Sequence, residues 1–504
     1  MNNQFFCAKE NGKLNYWHTI LTGFGFMASS IAWAIYDPYI TRILVELLSN
    51  NPWINGLTDW LLGFEALSFL KDFSAAQDGA LFVESVTLVP LFIGVIMTFD
   101  NIFGVIFQPT FGKLSDRCRS KYGKRRPFVI FGAPVSALLF LIIPIVFLAF
   151  RGTENPIGLP VTMACIILFV FSMSLWRAPV VALMPALTPP ALRSEGNAII
   201  NLMGGVGGAI GMFAGTVVGL IYKAFTGIQI TTENEQIAFP YVFLTGAVVM
   251  VIGMLVILFF VKEPSSKLEA VAEQNKAADA AARAKAEKEA KKAAKAAQKS
   301  QKLSKSERKS LIFMLGGLFF LFCGTNAITT FFALFAAEVL GKTTAEATIM
   351  TTLFAVCSAI AAIPAGYVGK KIGRKKTILI GLAVFMAAFL LYVATRSMAI
   401  VWIVLILGGF ANMFITVNTL PLVLDIGGID KVGTFTGYYY TATFSAQIAS
   451  PIIYGVVRML TGTYMSLFVY SPVTFILSML CIFFVKHGEA VPDAVVKAAA
   501  EEND

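Results

Sequence analysis

Long apolar runs separated by short polar breaks organise this chain. Runs bounded by Gly, Pro and charge lie near residues 17–40, 85–111, 127–150, 159–182, 197–222 and 241–262, then near 311–337, 346–368, 376–395, 398–423, 434–459 and 464–486. Each is about the 20 residues that cross a hydrocarbon core of roughly 30 Å as a helix. Barrel strands would alternate in character at every second residue and be half as long. The pattern predicts an all-α polytopic membrane protein with six helices, a polar stretch and six more.

Composition supports this reading. Of 504 residues, 57% are hydrophobic and 14% charged, against about 25% charged in soluble domains. The net charge of +10 could suggest nucleic acid, but its placement argues otherwise. The segment Glu263 to Lys309 carries 13 Lys and Arg against 7 Asp and Glu, which is +6 of the total. Much of the rest sits in short loops: Arg117, Arg119, Lys121, Lys124, Arg125 and Arg126 after the second run, and Lys370, Lys371, Arg374, Lys375 and Lys376 after the eighth. The loop after the first run has the reverse bias, with Glu46, Asp59, Glu65, Asp72, Asp78 and Glu84 against Arg42 and Lys71. The positive-inside rule then puts the basic loops and both termini in the cytoplasm, for a multi-pass protein of the cytoplasmic membrane. The start, Met1 to Tyr16, is polar, and the following run lacks the cleavage site of a signal peptide, so it reads as a retained span. Cys7, Cys118, Cys165, Cys323, Cys357 and Cys481 show no paired spacing and read as small packing residues rather than disulfides or metal ligands.

The two halves echo each other. GKLSDRCRSKYGKRRP follows the second run and GYVGKKIGRKKT the eighth, while LTPPALRSEGNAIINLMGG before the fifth pairs with DIGGIDKVGTFTGYYYTAT before the eleventh. Parallel six-helix repeats are the plan of one large transporter class. The expected organisation is a six-helix half over 1–262, a basic cytoplasmic linker over 263–310, a second half over 311–486 and a cytoplasmic tail over 487–504. The linker, rich in Ala, Lys and Glu without an apolar stripe, reads as a solvated tether between the halves.

These residues resemble the major facilitator superfamily, whose cytoplasmic loop carries a Gly, an Asp-Arg pair and a Gly followed by basic residues. Gly112, Asp116, Arg117, Gly123, Lys124, Arg125 and Arg126 supply it, with Cys118 to Tyr122 inserted. The inserted form, RCRSKYGKRRPF, is similar to the glycoside-pentoside-hexuronide cation symporters and equally to the sucrose-transporter group. The resemblance implies the major facilitator fold, sugar or glycoside transport by alternating access, and a cytoplasmic gate latched by Asp116 and its basic neighbours; Lys370 stands where the second half would carry the acid. In melibiose-permease-like sodium symporters, carboxylates on the second and fourth spans form the cation site. Here those positions are Gly104, Gln108 and Arg177. A hard cation needs oxygen ligands and would not tolerate an Arg, so the sodium site does not carry over.

The spans offer Asp100 and Arg177 instead, at comparable depth on the second and fourth. An ionisable residue at mid-bilayer costs about 2.5 to 3.5 kcal/mol on insertion scales, so it needs a partner, a wet cavity or a neutral form. Burial favours the neutral acid and Arg177 the carboxylate, a competition that suits a reversible proton carrier; a permanent structural salt bridge is the other reading. A sugar site needs amides, carboxylates and hydroxyls beside aromatic platforms. Trp33, Tyr36, Asp37, Asn101, Trp176, Asn201, Asn326, Asn412, Asn418, Tyr438 and Gln447 are the candidates, with intramembrane glue and packing as the alternative for each. Gly204, Gly208, Gly211, Gly215 and Gly219 recur near every fourth residue of the fifth span, a face for close helix approach, and for rocking if it lies between the halves.

Other classes fit less well. The only histidines are His18 and His487, no HExxH motif occurs, and no intramembrane carboxylates pair at helical spacing, so enzymatic chemistry, a metal or a cofactor is not expected. A channel lacks the need for paired halves. The expected partners are a sugar, a proton and the lipid bilayer around a monomer, with an exporter or a carrier of another small solute as the alternative.

Overall fold

The computed structural model describes residues 6–9, 13–64, 87–118, 120, 122–153, 155–189, 192–263, 304–427 and 432–487. Most of the linker, the tail beyond His487, Arg119, Lys121 and the acidic residues from Glu65 to Glu84 lie outside the described residues.

Among the described residues there are fourteen α-helices, most of them on the apolar runs: α1 (Tyr16–Ser49), α2 (Pro52–Leu62), α3 (Val89–Ile96), α4 (Phe99–Arg117), α5 (Arg126–Phe150), α6 (Gly158–Leu187), α7 (Arg193–Thr226), α8 (Phe239–Phe260), α9 (Lys305–Leu340), α10 (Thr344–Ile372), α11 (Arg374–Thr395), α12 (Met398–Gly427), α13 (Val432–Thr461) and α14 (Leu467–Phe483). Local chemistry starts several of them. The Asn15 side chain accepts from the His18 N–H at the head of α1. Ser304 with Glu307, and Thr343 with Glu346, form reciprocal capping boxes at α9 and α10.

Among the described residues, eleven spans are long and apolar enough to cross a membrane on composition alone. The twelfth expected span is α13, a helix of 30 residues whose Thr, Tyr, Ser and Gln dilute its apolar content. Two expected boundaries move. The first span, expected over 17–40, runs on through Pro38 to Ser49, because Tyr39, Ile40, Ile43 and Leu44 beyond it are all buried against neighbours. The second, expected as one run over 85–111, is interrupted at Met97 and Thr98, where the Thr98 hydroxyl donates to Gly94 O at 2.8 Å and to Ile448 O at 3.2 Å.

Packing repeats between the halves. In the first, α1 packs on α7 and α8, α5 on α6 and α8, and α4 on α6; in the second, α9 packs on α13 and α14, α11 on α12 and α14, and α10 on α12. The cross-half contacts obey the same exchange: α3 and α4 meet α13, as α10 meets α7, while α1 meets its counterpart α9. The chain therefore folds as two related six-helix units with α1, α4, α7, α9, α10 and α13 around their junction.

The small face of α7 serves mainly its own half. A Cβ at Gly207 would stand 2.3 Å from Met27 O, and one at Gly211 would stand 2.7 Å from Ala34 Cβ, both on α1. At Gly215 it would meet Tyr39 Oη at 1.9 Å and, across the junction, Ala345 at 2.9 Å. Gly208 faces open space and Gly219 has only loose contact. The close approach thus uses Gly204, Gly207, Gly211 and Gly215, not the even run read from the sequence.

Candidate substrate cavity and its closures

A cavity of ≈ 920 Å³ lies between the halves, within the size range of small-molecule pockets. Its wall comes from both halves: Ser30, Trp33 and Asp37 on α1, Asp100, Asn101, Gly104 and Gln108 on α4, Arg177 on α6, Asn326, Thr329 and Thr330 on α9, and Phe444 and Gln447 on α13. Helical spacing explains the set. Ser30, Trp33 and Asp37 fall on one face of α1 at intervals of three and four residues, as do Asp100, Gly104 and Gln108 on α4.

Seven of the residues singled out from the sequence meet here: Trp33, Asp37, Asp100, Asn101, Arg177, Asn326 and Gln447. Gly104 and Gln108, aligned with the second-span carboxylates of sodium symporters, face the same space as Arg177, so these three positions supply one guanidinium and one amide and no carboxylate.

The charged groups are arranged unevenly. Asp100 Oδ1 accepts from the Asn101 backbone N–H at 2.7 Å and from Asn101 Nδ2 at 3.0 Å. Asp37 makes no hydrogen bond among the described residues. Arg177 lies within electrostatic reach of both carboxylates, yet among the described residues neither stands within ion-pair distance, and its guanidinium lies 5.6 Å from the centre of the Trp33 ring. The permanent Asp100–Arg177 salt bridge weighed above is therefore not closed in this conformation. Two buried donors of the cavity wall lack an acceptor among the described residues: Trp33 Nε1 on the first helix of one half and Asn326 Nδ2 on the first helix of the other. Leaving such a group unmade costs about 1–3 kcal/mol, so these are places for an incoming acceptor oxygen.

The other candidates lie outside the wall. Tyr36 is buried behind Trp33, 5.2 Å between ring centres, and stacks on Phe169 at 5.5 Å. Trp176 is buried and donates to Ser136 Oγ at 3.0 Å, so its indole joins α6 to α5. Asn201 is exposed and donates to Asn197 O in its own helix. Asn418 is buried and donates to Ala365 O and Phe414 O, joining α12 to α10. Asn412 is half-buried and its carbonyl accepts from Thr416. Tyr438 is exposed beside Phe435. Ser30, Thr329, Thr330 and Phe444 were missed, because hydroxyls and Phe are common on any membrane helix and only the helix face distinguishes them.

The cavity is closed on one side. The side bearing the ends of α1, α9 and α13 is here the far side, and that bearing the start of α1 and the end of α14 the terminal side. On the far side the buried Glu235 bridges the halves: Oε1 accepts from Arg42 Nε at 2.8 Å, and Oε2 accepts from the Thr344 N–H at the start of α10 at 2.6 Å. Thr348 Oγ1 donates to Met212 O at 2.8 Å, and α3 meets α13 so closely that a Cβ at Gly94 would stand 2.1 Å from Pro451 O. On the terminal side each half is pinned within itself. Asp116 pairs with Arg125 at 2.6 Å, and Glu263 accepts from the N–H groups of Arg125 and Arg126 at the head of α5. Gly123 has φ +103°, and a Cβ there would meet the Glu263 carboxylate at 2.3 Å. Arg126 donates to Leu258 O; Gly112 faces open space and Arg117 is exposed. In the second half Arg374 pairs with Asp425 at the end of α12, an acid the loop motif does not include. The cavity thus runs toward the terminal side along Gly104, Val105, Gln108 and Pro109 of α4.

Comparison with known proteins accords with this architecture. A family profile described as "MFS/sugar transport protein" matches residues 80–480. The chain is 28% identical over 225 residues to Solute carrier family 45 member 4 of Homo sapiens, 42% of this chain and 28% of that protein. It is 34% identical over 122 residues to Proton-associated sugar transporter A of Mus musculus, 23% of this chain and 16% of that one. It is 28% identical over 156 residues to Sucrose transport protein SUC3 of Arabidopsis thaliana, 27% of this chain and 25% of that one. The matches thus span at most 28% of the length of these curated relatives. Among solved structures, the xylose transporter XylE from E. coli in a partially occluded inward open conformation aligns with TM-score 0.56 at 17% identity, covering 94% of this chain and 98% of that one. The nucleoside transporter NupG aligns with TM-score 0.57 at 14% identity, covering 92% and 100%. These two similarities establish the fold alone. With the family profile matched over four-fifths of a chain folded as two related six-helix halves around a polar cavity, the protein belongs to the MFS/sugar transport protein family.

Proposed function

We propose that this protein is a secondary transporter that moves a sugar or glycoside across the cytoplasmic membrane by alternating access, in symport with a proton. The observation that carries the reading is the cavity at the junction of the halves, in which Trp33 Nε1 and Asn326 Nδ2 lack acceptors while Asp37 and Asp100 offer acceptor oxygens. A polyhydroxyl ligand both donates and accepts, so it can satisfy all four groups, and the Trp33 ring provides an apolar platform for its carbon face. Donors on both halves let the ligand draw them together, and the closed far side with the opposite path is one of the two states the cycle requires.

Protons are favoured over sodium by Arg177 and the amide of Gln108 where a sodium shell would need carboxylates. Asp100 and Arg177 form the coupling charge, their separation here leaving the pair free to close in another state. The names of the partial matches, sugar and proton-associated transporters, point the same way. The basic loops favour a cytoplasmic terminal side, and on that reading this conformation faces inward, in a protein expected to work as a monomer.

The test is concentrative uptake of a labelled mono- and disaccharide panel into proteoliposomes under imposed proton or sodium gradients. Accumulation driven by the proton gradient and collapsed by a protonophore is expected; no response to any sugar overturns the substrate class. Full accumulation by an Asp100→Asn variant overturns the role of Asp100 in coupling.

A further inference from the structure

Asp37 and Asp100 face one cavity together with Arg177, and their surroundings differ. Two N–H groups of Asn101, at 2.7 and 3.0 Å, already hold Asp100 Oδ1, an arrangement that favours the ionised carboxylate. Asp37 has no such donor among the described residues, sits on a helix packed on several sides, and faces the same cavity. The charged and titratable groups within its reach are Asp100 from α4, Arg177 from α6 and the neighbouring Tyr36 phenol. The elements α9 and α13 present the amides Asn326 and Gln447 to the same cavity. Two carboxylates and one guanidinium would leave an uncompensated negative charge away from bulk water.

From this geometry, and resting on the proton-symport reading, we infer that the transported proton is carried by Asp37, with Asp100 as the counter-charge of Arg177. While Asp37 is protonated the cavity is neutral overall and can close around the sugar. When the proton leaves toward the terminal side, Asp37 becomes an acceptor for Arg177, which must leave the face of Trp33 to reach it. Per cycle, one proton is bound and one released at the Asp37 carboxyl.

The test reads the carboxyl itself, so its outcome is independent of whether a sugar is transported. Infrared pH-difference spectra of the full chain, purified with ¹³C-labelled aspartate, follow the protonated aspartic acid band in wild type, Asp37→Asn and Asp100→Asn. The expected result is loss of a titrating band in Asp37→Asn and its retention in Asp100→Asn. Loss in Asp100→Asn with retention in Asp37→Asn overturns the assignment, as does a spectrum that neither variant changes. Asp37→Glu guards against misfolding: it should restore a titrating band at the glutamic acid position. Proton-driven accumulation of labelled sucrose should be lost in Asp37→Asn. A wild type that shows the Asp37 band but transports no sugar would leave this assignment standing and remove the sugar reading alone.

Discussion

Single side chains set what the cavity can hold. Trp33 and Asn326 each bring a buried N–H with no acceptor, from opposite halves. A neutral hydrogen bond is worth about 1 kcal/mol net, so Trp33→Phe and Asn326→Ala should each raise the KM for labelled sugar about fivefold. Wild-type KM in both variants would remove these groups from the site. At the terminal loop, Gly123 combines a positive φ with a carboxylate where a Cβ would go. Gly123→Ala should cost about 1–3 kcal/mol and lower the thermal midpoint of the detergent-solubilised protein, and an unchanged midpoint would show that the loop relaxes freely. The sequence makes the charged residues legible because an Asp or Arg inside an apolar run is conspicuous whatever its partner. It is far less informative about amides: Asn326 faces the cavity while Asn418 joins two helices, and both are a single Asn in a similar run.

At the scale of elements, the helices follow from apolar length, whereas breaks and surface pieces depend on neighbours. The interruption of the second span at Met97 and Thr98 goes with a hydrogen bond to Ile448, 350 positions away. The helix α2 carries Trp53 and Trp60 exposed at its surface, where indoles suit a membrane–water boundary, but its 11 residues are too few to register as a run. The far-side closure rests on Glu235, which is only 2% exposed and joins Arg42 of one half to the start of α10 in the other. Charge-assisted hydrogen bonds of this kind are worth about 1.5–3 kcal/mol. Glu235→Ala should therefore shift the population toward opening on the far side by about tenfold or more, since ~1.4 kcal/mol is a factor of ten. With the native cysteines replaced and spin labels on Thr226→Cys and Lys342→Cys, the distance distribution should lengthen; an unchanged distribution would mean that the Thr348–Met212 hydrogen bond and the contacts of α3 with α13 hold the closure without Glu235.

The whole molecule reads as two copies of one unit meeting at α1, α4, α7, α9, α10 and α13. The paired basic loops anticipate the repeat, and the exchange of α4–α13 contacts for α10–α7 contacts matches it in space. What the sequence could not reveal is the state: cavity and closures come from which helix ends touch, and no local pattern encodes that. The present arrangement, tied at Glu235 and at α3 with α13 and leading to the terminal side, is one end of a cycle whose other end must break those ties and close the α4 path. Coupling is the central claim. The most direct measurement is sugar-driven proton movement: proteoliposomes containing the wild-type protein and a trapped pH indicator, in weakly buffered medium, receive an inward sucrose gradient with no imposed pH difference. The account predicts internal acidification that follows sugar entry, disappears with a protonophore and is absent in Asp37→Asn. Sugar entry without acidification, or entry that depends on sodium, would contradict it.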